Sequence, residues 1–152
     1  MKRVIIIGGG ASGIACALKL KSLNPDLQVT ILEQNERIGK KILKTGNGRC
    51  NISNLQMDAI YYNNQNFVQS CLQVFSVTDL LAFFHSLGLL IKSDNASRLY
   101  PYSESATTVL DVFLENLRIY GIEVICNQQV IGIKKTGLYE VTTQDNKYNA
   151  EV

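Results

Sequence analysis

The run Val4-Ile-Ile-Ile-Gly-Gly-Gly-Ala-Ser-Gly13 constrains this chain more than any other stretch. Four consecutive β-branched residues stop at three glycines, and an apolar pattern with helical spacing follows. A short continuous apolar run bounded by glycine reads as a parallel strand buried on both faces. A helix is then predicted over Ala11–Leu23, with Ile14, Ala17 and Leu18 toward the sheet and Cys16 at the margin of that face. Pro25 ends it, because the residue before a proline avoids helical geometry. A second strand over Gln28–Leu32 stops at Glu33. Strand, helix and strand form a β-α-β unit of about 30 residues. The fold class that follows is α/β: a Rossmann-like domain with a parallel sheet, inserted helices and a small antiparallel β-meander.

Within that unit Gly8, Gly10 and Gly13 have the spacing G-x-G-x-x-G, and each has its own task. Gly8 permits the tight turn out of the strand, Gly10 lets the backbone approach a pyrophosphate, and Gly13 lets the helix pack closely on the sheet. The helix N-terminus offers free N–H groups and a positive dipole end to phosphate. Glu33 lies about 20 positions past the last glycine, where an acid bonds ribose hydroxyls. A carboxylate there also repels a ribose 2′-phosphate. Alone, the spacing is compatible with a plain glycine turn beside a surface glutamate. The strand before it and the helix after it give it meaning. The pattern implies an adenine dinucleotide without saying which.

Composition narrows the rest. The chain has 152 residues, enough for one domain with its own core. A net charge of +2 gives no argument for nucleic acid or an anionic membrane as partner. The four cysteines (16, 50, 71 and 126) form no CxxC pair and His85 is the sole histidine, so no metal site is expected. Cys16, Cys71 and Cys126 lie in apolar contexts and read as buried small hydrophobes in a reducing compartment. His85 falls in the last turn of a predicted helix and reads as structural. The basic start resembles a signal peptide, but its apolar run is only Val4–Ile7, short of the roughly 7–15 residues an export signal needs. No segment has the length to span a bilayer. A cytoplasmic protein acting on a small-molecule substrate is the expectation.

Three regions follow the first crossover. Residues 34–65 show no periodicity and carry Gly39, Gly46 and Gly48, as a loop following a bound molecule would. Lys40, Lys41, Lys44 and Arg49 bring cations suited to phosphate, although Lys40 and Lys44 singly read as a solvated basic face. Residues 66–121 are mostly helical. Phe67, Val68, Cys71, Leu72 and Phe75 mark one helix. Thr78 is placed to cap a second, which carries Leu80, Leu81, Phe84 and Leu87 and stops at Gly88. Leu89–Ser93 reads as a short strand and Arg98–Ser105 as a turn, with Tyr100 and Tyr102 packing around Pro101. A third helix then carries Val109, Leu110, Phe113, Leu114 and Leu117 and ends at Gly121. Residues 122–152 are β-rich, with strands over Ile122–Cys126, Gln129–Lys134, Leu138–Thr143 and Tyr148–Val152.

The stretches VIIIGGGASGIACA, ILEQNERIGKKILKTGNGRCNISN and RLYPYSESATTVLDVF together resemble a bacterial flavoprotein family. It includes the aminoacetone oxidases and a flavoprotein reductase of the bile-acid dehydroxylation pathway. The most specific motif is Gly46, Gly48, Arg49, Cys50 and Asn51, followed by Asn54. The family usually has glycine where this chain has Asn47. The resemblance implies FAD, with Gly8, Gly10, Ala11, Ser12 and Gly13 at the pyrophosphate. It places Glu33 at the adenosine ribose and Lys41 near the ribose or phosphates. It also implies Gly48–Asn51 beside the flavin and the Val130 backbone against adenine, with Gln34 and Gly46 among the cofactor-binding residues. Family members are longer, so the chain is expected to correspond to the N-terminal part of such a flavoprotein, without its substrate domain and C-terminal flavin-binding segment.

Three functional readings stand at this point. The first is an FAD-dependent amine oxidase of the aminoacetone type, passing hydride to flavin and then to oxygen. The second is a reductase that uses NAD(P)H to reduce an enone through FAD. The third is a dinucleotide-binding or RNA-associated module without turnover. Cys50 as a redox thiol has Arg49 beside it but no neighbouring cysteine, so packing or flavin contact is the favoured role. No residue stands out as a catalytic base.

Overall fold

The computed structural model describes residues 2–152. In chain order the elements are β1 (Arg3–Ile7), α1 (Ala11–Leu23), β2 (Gln28–Leu32), β3 (Ser53–Asn54), α2 (Gln65–Val74), α3 (Val77–Ser86), β4 (Ile91–Ser93), β5 (Arg98–Pro101), α4 (Ala106–Ile119), β6 (Glu123–Ile125), β7 (Val130–Thr136), β8 (Leu138–Thr143) and β9 (Lys147–Ala150). Short 3-10 segments cover Ile42–Gly48 and Ala59–Tyr61. The chain divides into two compact units, Met1–Ile42 with Phe113–Val152 and Leu43–Val112.

The first unit holds a parallel sheet in the order β1-β2-β6. The helix α1 and strand β2 have the bounds that their apolar spacing predicts, and β1 begins one residue before the predicted run, at Arg3. Ile14, Ala17 and Leu18 of α1 are buried, as are Val29, Ile31 and Leu32 of β2. Lys21 in the last turn of α1 donates to the carbonyls of Pro25 (2.6 Å) and Leu27 (3.0 Å), which fixes the turn into β2. The free edge of β1 receives the segment after β9. Ile5 N–H donates to Val152 O (3.0 Å) and Glu151 N–H to Arg3 O (3.1 Å). A separate antiparallel meander, β7-β8-β9, buries Val141 and Ala150.

One expectation for β1 fails. Only Val4 is buried, and Ile7 is 49% exposed. Alternation explains the pattern. Ile6 points at Gly13 of α1, so Val4 and Ile6 share the helix-covered face while Ile5 and Ile7 lie on the opposite one. The cysteines also differ from expectation. Cys16 and Cys71 are exposed and Cys126 is half-buried, whereas Cys50 is buried; all four are free thiols.

The second unit carries an antiparallel sheet in the order β3-β5-β4, with α2 and α3. Leu87, Leu89, Leu99, Tyr100, Ala106 and Val109 are buried there. Three readings of this region need correction. Arg98–Pro101 is a strand whose Leu99 and Tyr100 are buried, not a turn. The cap of α3 is Ser76, not Thr78: Ser76 Oγ accepts from Asp79 N–H and the Asp79 carboxylate accepts from Ser76 N–H, a complete capping box. The apolar stripe of α2 is real but uncovered, with Phe67 64% exposed. Among the described residues, no single helix is long and apolar enough to cross a membrane.

Candidate cofactor site

The glycine loop joins β1 to α1. Gly8 has φ +102°, a value that glycine tolerates and other residues rarely adopt. Gly13 is required for a different reason: a Cβ there would lie 2.0 Å from the Gly8 carbonyl oxygen, so helix and loop touch backbone to backbone. A Cβ at Gly10 would meet no atom within 4 Å, so the approach to the start of α1 is open. No side chain caps α1 and its first turn holds no acid. The first-turn N–H groups therefore face that open approach, as an anion site requires.

Glu33 completes this region. It is buried, and its carboxylate accepts from Gly9 N–H (2.7 Å), from Asn35 N–H (2.9 Å) and from the Asn35 side-chain amide. Burial pushes the carboxyl pKa up. Bonds from the Asn35 and Gly9 backbones, the Asn35 amide and the charge of Lys40 outweigh it, so Glu33 stays below its ordinary value and ionised. The oxygen facing Gly9 retains a lone pair that can accept a further hydrogen bond. Burial and the Glu33 carboxylate push the Cys126 thiol up, which argues against a thiolate there.

The remaining candidates in this unit gather around Glu33 to different degrees. Gly39 N–H donates to Gly9 O (2.8 Å), which ties the turn carrying Lys40 and Lys41 to the glycine loop. Lys41 is exposed, and Lys40 pairs with Glu36 at 3.6 Å. Gln128 N–H donates to Glu33 O (2.8 Å) and Asn127 N–H to Asn35 O (2.9 Å), so the segment that leads into β7 at Val130 is tied to the Glu33 backbone. The Gln34 side chain is exposed, unlike that of Glu33. Ala11 and Ser12 are exposed at the head of α1.

In the second unit the Thr45–Asn51 loop takes its shape from positive φ angles. Gly46 (φ 55°), Asn47 (56°), Gly48 (82°) and Cys50 (58°) all adopt them. Arg49 N–H returns to Gly46 O and Cys50 N–H to Thr45 O, both at 3.1 Å. A Cβ at Gly46 would lie 2.4 Å from Asn51 N, so the loop closes on itself. Asn47 keeps the local path that glycine would provide, since asparagine tolerates this region better than most residues. Arg49 is held on two sides. Its guanidinium carbon lies 4.8 Å from the centre of the buried Tyr100 ring, and Glu104 Oε2 is 3.7 Å from a terminal nitrogen. Glu104 also pairs with Lys92 at 2.7 Å; Lys92 first, then Arg49, hold its carboxyl below the ordinary value.

Four residues that matter here were not singled out from the sequence. Gly9 sits inside the glycine run, where a Cβ would lie 2.2 Å from Ile38. The third consecutive glycine was the available signal. Asn35 follows Glu33 by two residues, an Asx pattern that favours local bonds. Tyr100 was read as turn packing, and Glu104 carries no sequence signal at all. A cleft of about 650 Å³ lies at the amino ends of β1 and β2 beside Arg3, Lys21 and Gln28. Ligands of open α/β sheets bind at the carboxyl ends, so it is not the cofactor site.

Comparison with known proteins agrees with this geometry. The model of the HI0933-like protein Rossmann domain matches residues 2–152. A 3-dehydro-bile acid delta(4,6)-reductase of Clostridium scindens is 44% identical over 136 residues, covering 88% of this chain and 33% of the relative. A ribosomal RNA dihydrouridine synthase of Haemophilus influenzae is 29% identical, covering 86% of this chain and 32% of the relative. The chain thus spans about a third of the length of these relatives. Among solved structures, THI4 of Thermovibrio ammonificans aligns with a TM-score of 0.61 at 12% identity, over 98% of this chain and 54% of that one. A thioredoxin reductase of Lactococcus lactis aligns with a TM-score of 0.51 at 14% identity, over 99% and 33%. Those two likenesses concern the fold alone. With a family-model match along the whole described chain and a relative 44% identical over 88% of it, the chain belongs to the HI0933-like Rossmann FAD-binding family.

Proposed function

We propose that this chain is the FAD-holding part of a reductase that saturates a carbon–carbon double bond conjugated with a carbonyl group. The observation that carries the proposal is the 44% identity to a relative named for reducing such a bond in a 3-dehydro-bile acid. The second relative supports the same class, since dihydrouridine differs from uridine by one saturated carbon–carbon bond next to a carbonyl. The amine-oxidase reading rests on the sequence resemblance alone, and the enone reading is preferred to it on these grounds.

In this reading the residues hold and orient. The N–H groups of Ala11, Ser12 and Gly13 bind the pyrophosphate, and the absent side chain of Gly10 lets it approach. Glu33, fixed by Gly9 and Asn35, accepts from the adenosine ribose. The Val130 backbone meets adenine, and Lys41 supplies a cation to the phosphates. Gly46, Gly48, Cys50 and Asn51 border the flavin, where Arg49 brings a cation fixed by Tyr100 and Glu104. Bound FAD supplies two-electron transfer; the chain supplies position and electrostatics. NAD(P)H is the proposed electron donor.

The test is anaerobic. Purified protein should show flavin absorption that bleaches with NADH and returns on addition of cyclohexenone. Protein that binds no flavin overturns the reading. Flavin that is reduced by aminoacetone, with hydrogen peroxide released in air, returns the assignment to the amine oxidase.

A further inference from the structure

Beside the loop that carries Arg49 and Cys50 lies a cleft of about 490 Å³, within the second unit. That volume falls in the range of small-molecule sites, about 300–1,000 Å³. Asn51, Ser53, Gln56, Met57, Tyr61 and Tyr62 contribute to its wall. Three properties of this wall point to one kind of occupant. First, no charged side chain lines it, so nothing there compensates a carboxylate, a phosphate or an ammonium group. Second, its hydrogen-bonding groups are uncommitted. Among the described residues the Ser53 hydroxyl is buried without a partner, and the solvent-exposed side chains of Asn51, Gln56, Tyr61 and Tyr62 make no hydrogen bond to the protein. Asn54 contrasts with them, since its carbonyl accepts from Gln56 N–H (2.7 Å) and its amide donates to Ala96 O (3.2 Å). Third, two phenol rings and a thioether provide flat, polarisable contact area.

We infer that this cleft binds the uncharged, carbonyl-bearing ring of the substrate. Amide and phenol groups donate to the ring carbonyl, and Tyr61, Tyr62 and Met57 cover its faces. Asn51 belongs both to the Thr45–Asn51 loop and to the cleft wall, and the reductase reading puts that loop beside the flavin. The inference rests on the reductase reading for the identity of that centre. It goes further by naming where the substrate sits and what it excludes. A charged ring or a phosphate meets no counter-ion here. Any anionic tail of a larger substrate must extend out of the cleft.

The test reads binding rather than turnover. Isotope-labelled protein, with and without FAD, is titrated with cyclohexenone and with cyclohexenecarboxylate, following the side-chain amide signals of Asn51 and Gln56. Cyclohexenone should shift both, and the carboxylate should shift neither. Gln56→Leu and Tyr62→Phe should each weaken cyclohexenone about fivefold, the effect of one lost hydrogen bond. Both should leave the FAD affinity and the melting temperature unchanged. Equal binding of the carboxylate, or unaltered cyclohexenone affinity in both variants, overturns the inference. Signals that shift in a protein that never takes up FAD sustain the cleft and remove the reductase reading, so the two failures are distinguishable.

Discussion

At Gly9 and Gly13 glycine is required for the atom it lacks; at Asn47, Gly48 and Cys50 the requirement is a backbone angle, as it is at Gly8. In the first segment, side chains at Gly9 and Gly13 would overlap Ile38 and the Gly8 carbonyl. In the second, Asn47 and Cys50 take positive φ despite having side chains, and half-exposed ion pairs around Glu104 hold the neighbouring arginine. The first loop is rigid by exclusion and tolerates no added atom at its contacts. Apart from Gly46, where a Cβ would meet the Asn51 backbone, the second is shaped by torsional preference and surface electrostatics, each worth less and each tolerant of exchange. A pyrophosphate, always the same shape, suits the first kind of site.

The largest effect is expected at Gly13. Gly13→Ala forces a backbone atom 2.0 Å away to move, which should cost about 3 kcal/mol in urea unfolding. A variant as stable as the parent would remove the distinction between the loops.

Glu33→Gln comes next, at about 2 kcal/mol near neutral pH, because a buried acceptor of three N–H groups loses its charge. The same residue predicts a pH dependence. Its folded pKa lies below its ordinary value of 4.5, so its stabilising contribution is complete above that value. The contribution disappears as pH falls through the folded pKa. Acid unfolding curves of the parent should steepen below about pH 4.5, and those of Glu33→Gln should be flatter there.

The second loop should respond least. Asn47→Ala should cost about 1 kcal/mol in thermal unfolding for its positive φ, and Asn47→Gly should change stability by only about a few tenths. An Asn47→Gly variant as damaging as Gly13→Ala would show that this loop is packed rather than torsionally set.

The sequence reading reached the first crossover almost residue for residue, because three local signals agree there: a β-branched run, a glycine turn and an apolar helix stopped before Pro25. It also placed Glu33, whose distance from the glycines is set by the length of one helix and one strand. It failed where the outcome depends on distant partners. Nothing local says that Tyr100 lies under Arg49 or that Glu104 bridges Arg49 and Lys92. The same limit explains Ile7 and Cys16, whose exposure depends on which face is covered and not on residue type. Ser76 was passed over for Thr78 because both hydroxyls precede the same apolar stripe; only Ser76 stands three residues before Asp79, the spacing of a capping box.

The central claim is that a dinucleotide pyrophosphate lies against the main chain at Gly10. It is tested most directly by Gly10→Ala, where a methyl group meets open space in the protein and the phosphate in the complex. Melting temperature without cofactor and FAD affinity are measured on the same preparation. The account predicts an unchanged melting temperature and at least about a tenfold loss of affinity. Full FAD affinity in Gly10→Ala would contradict it.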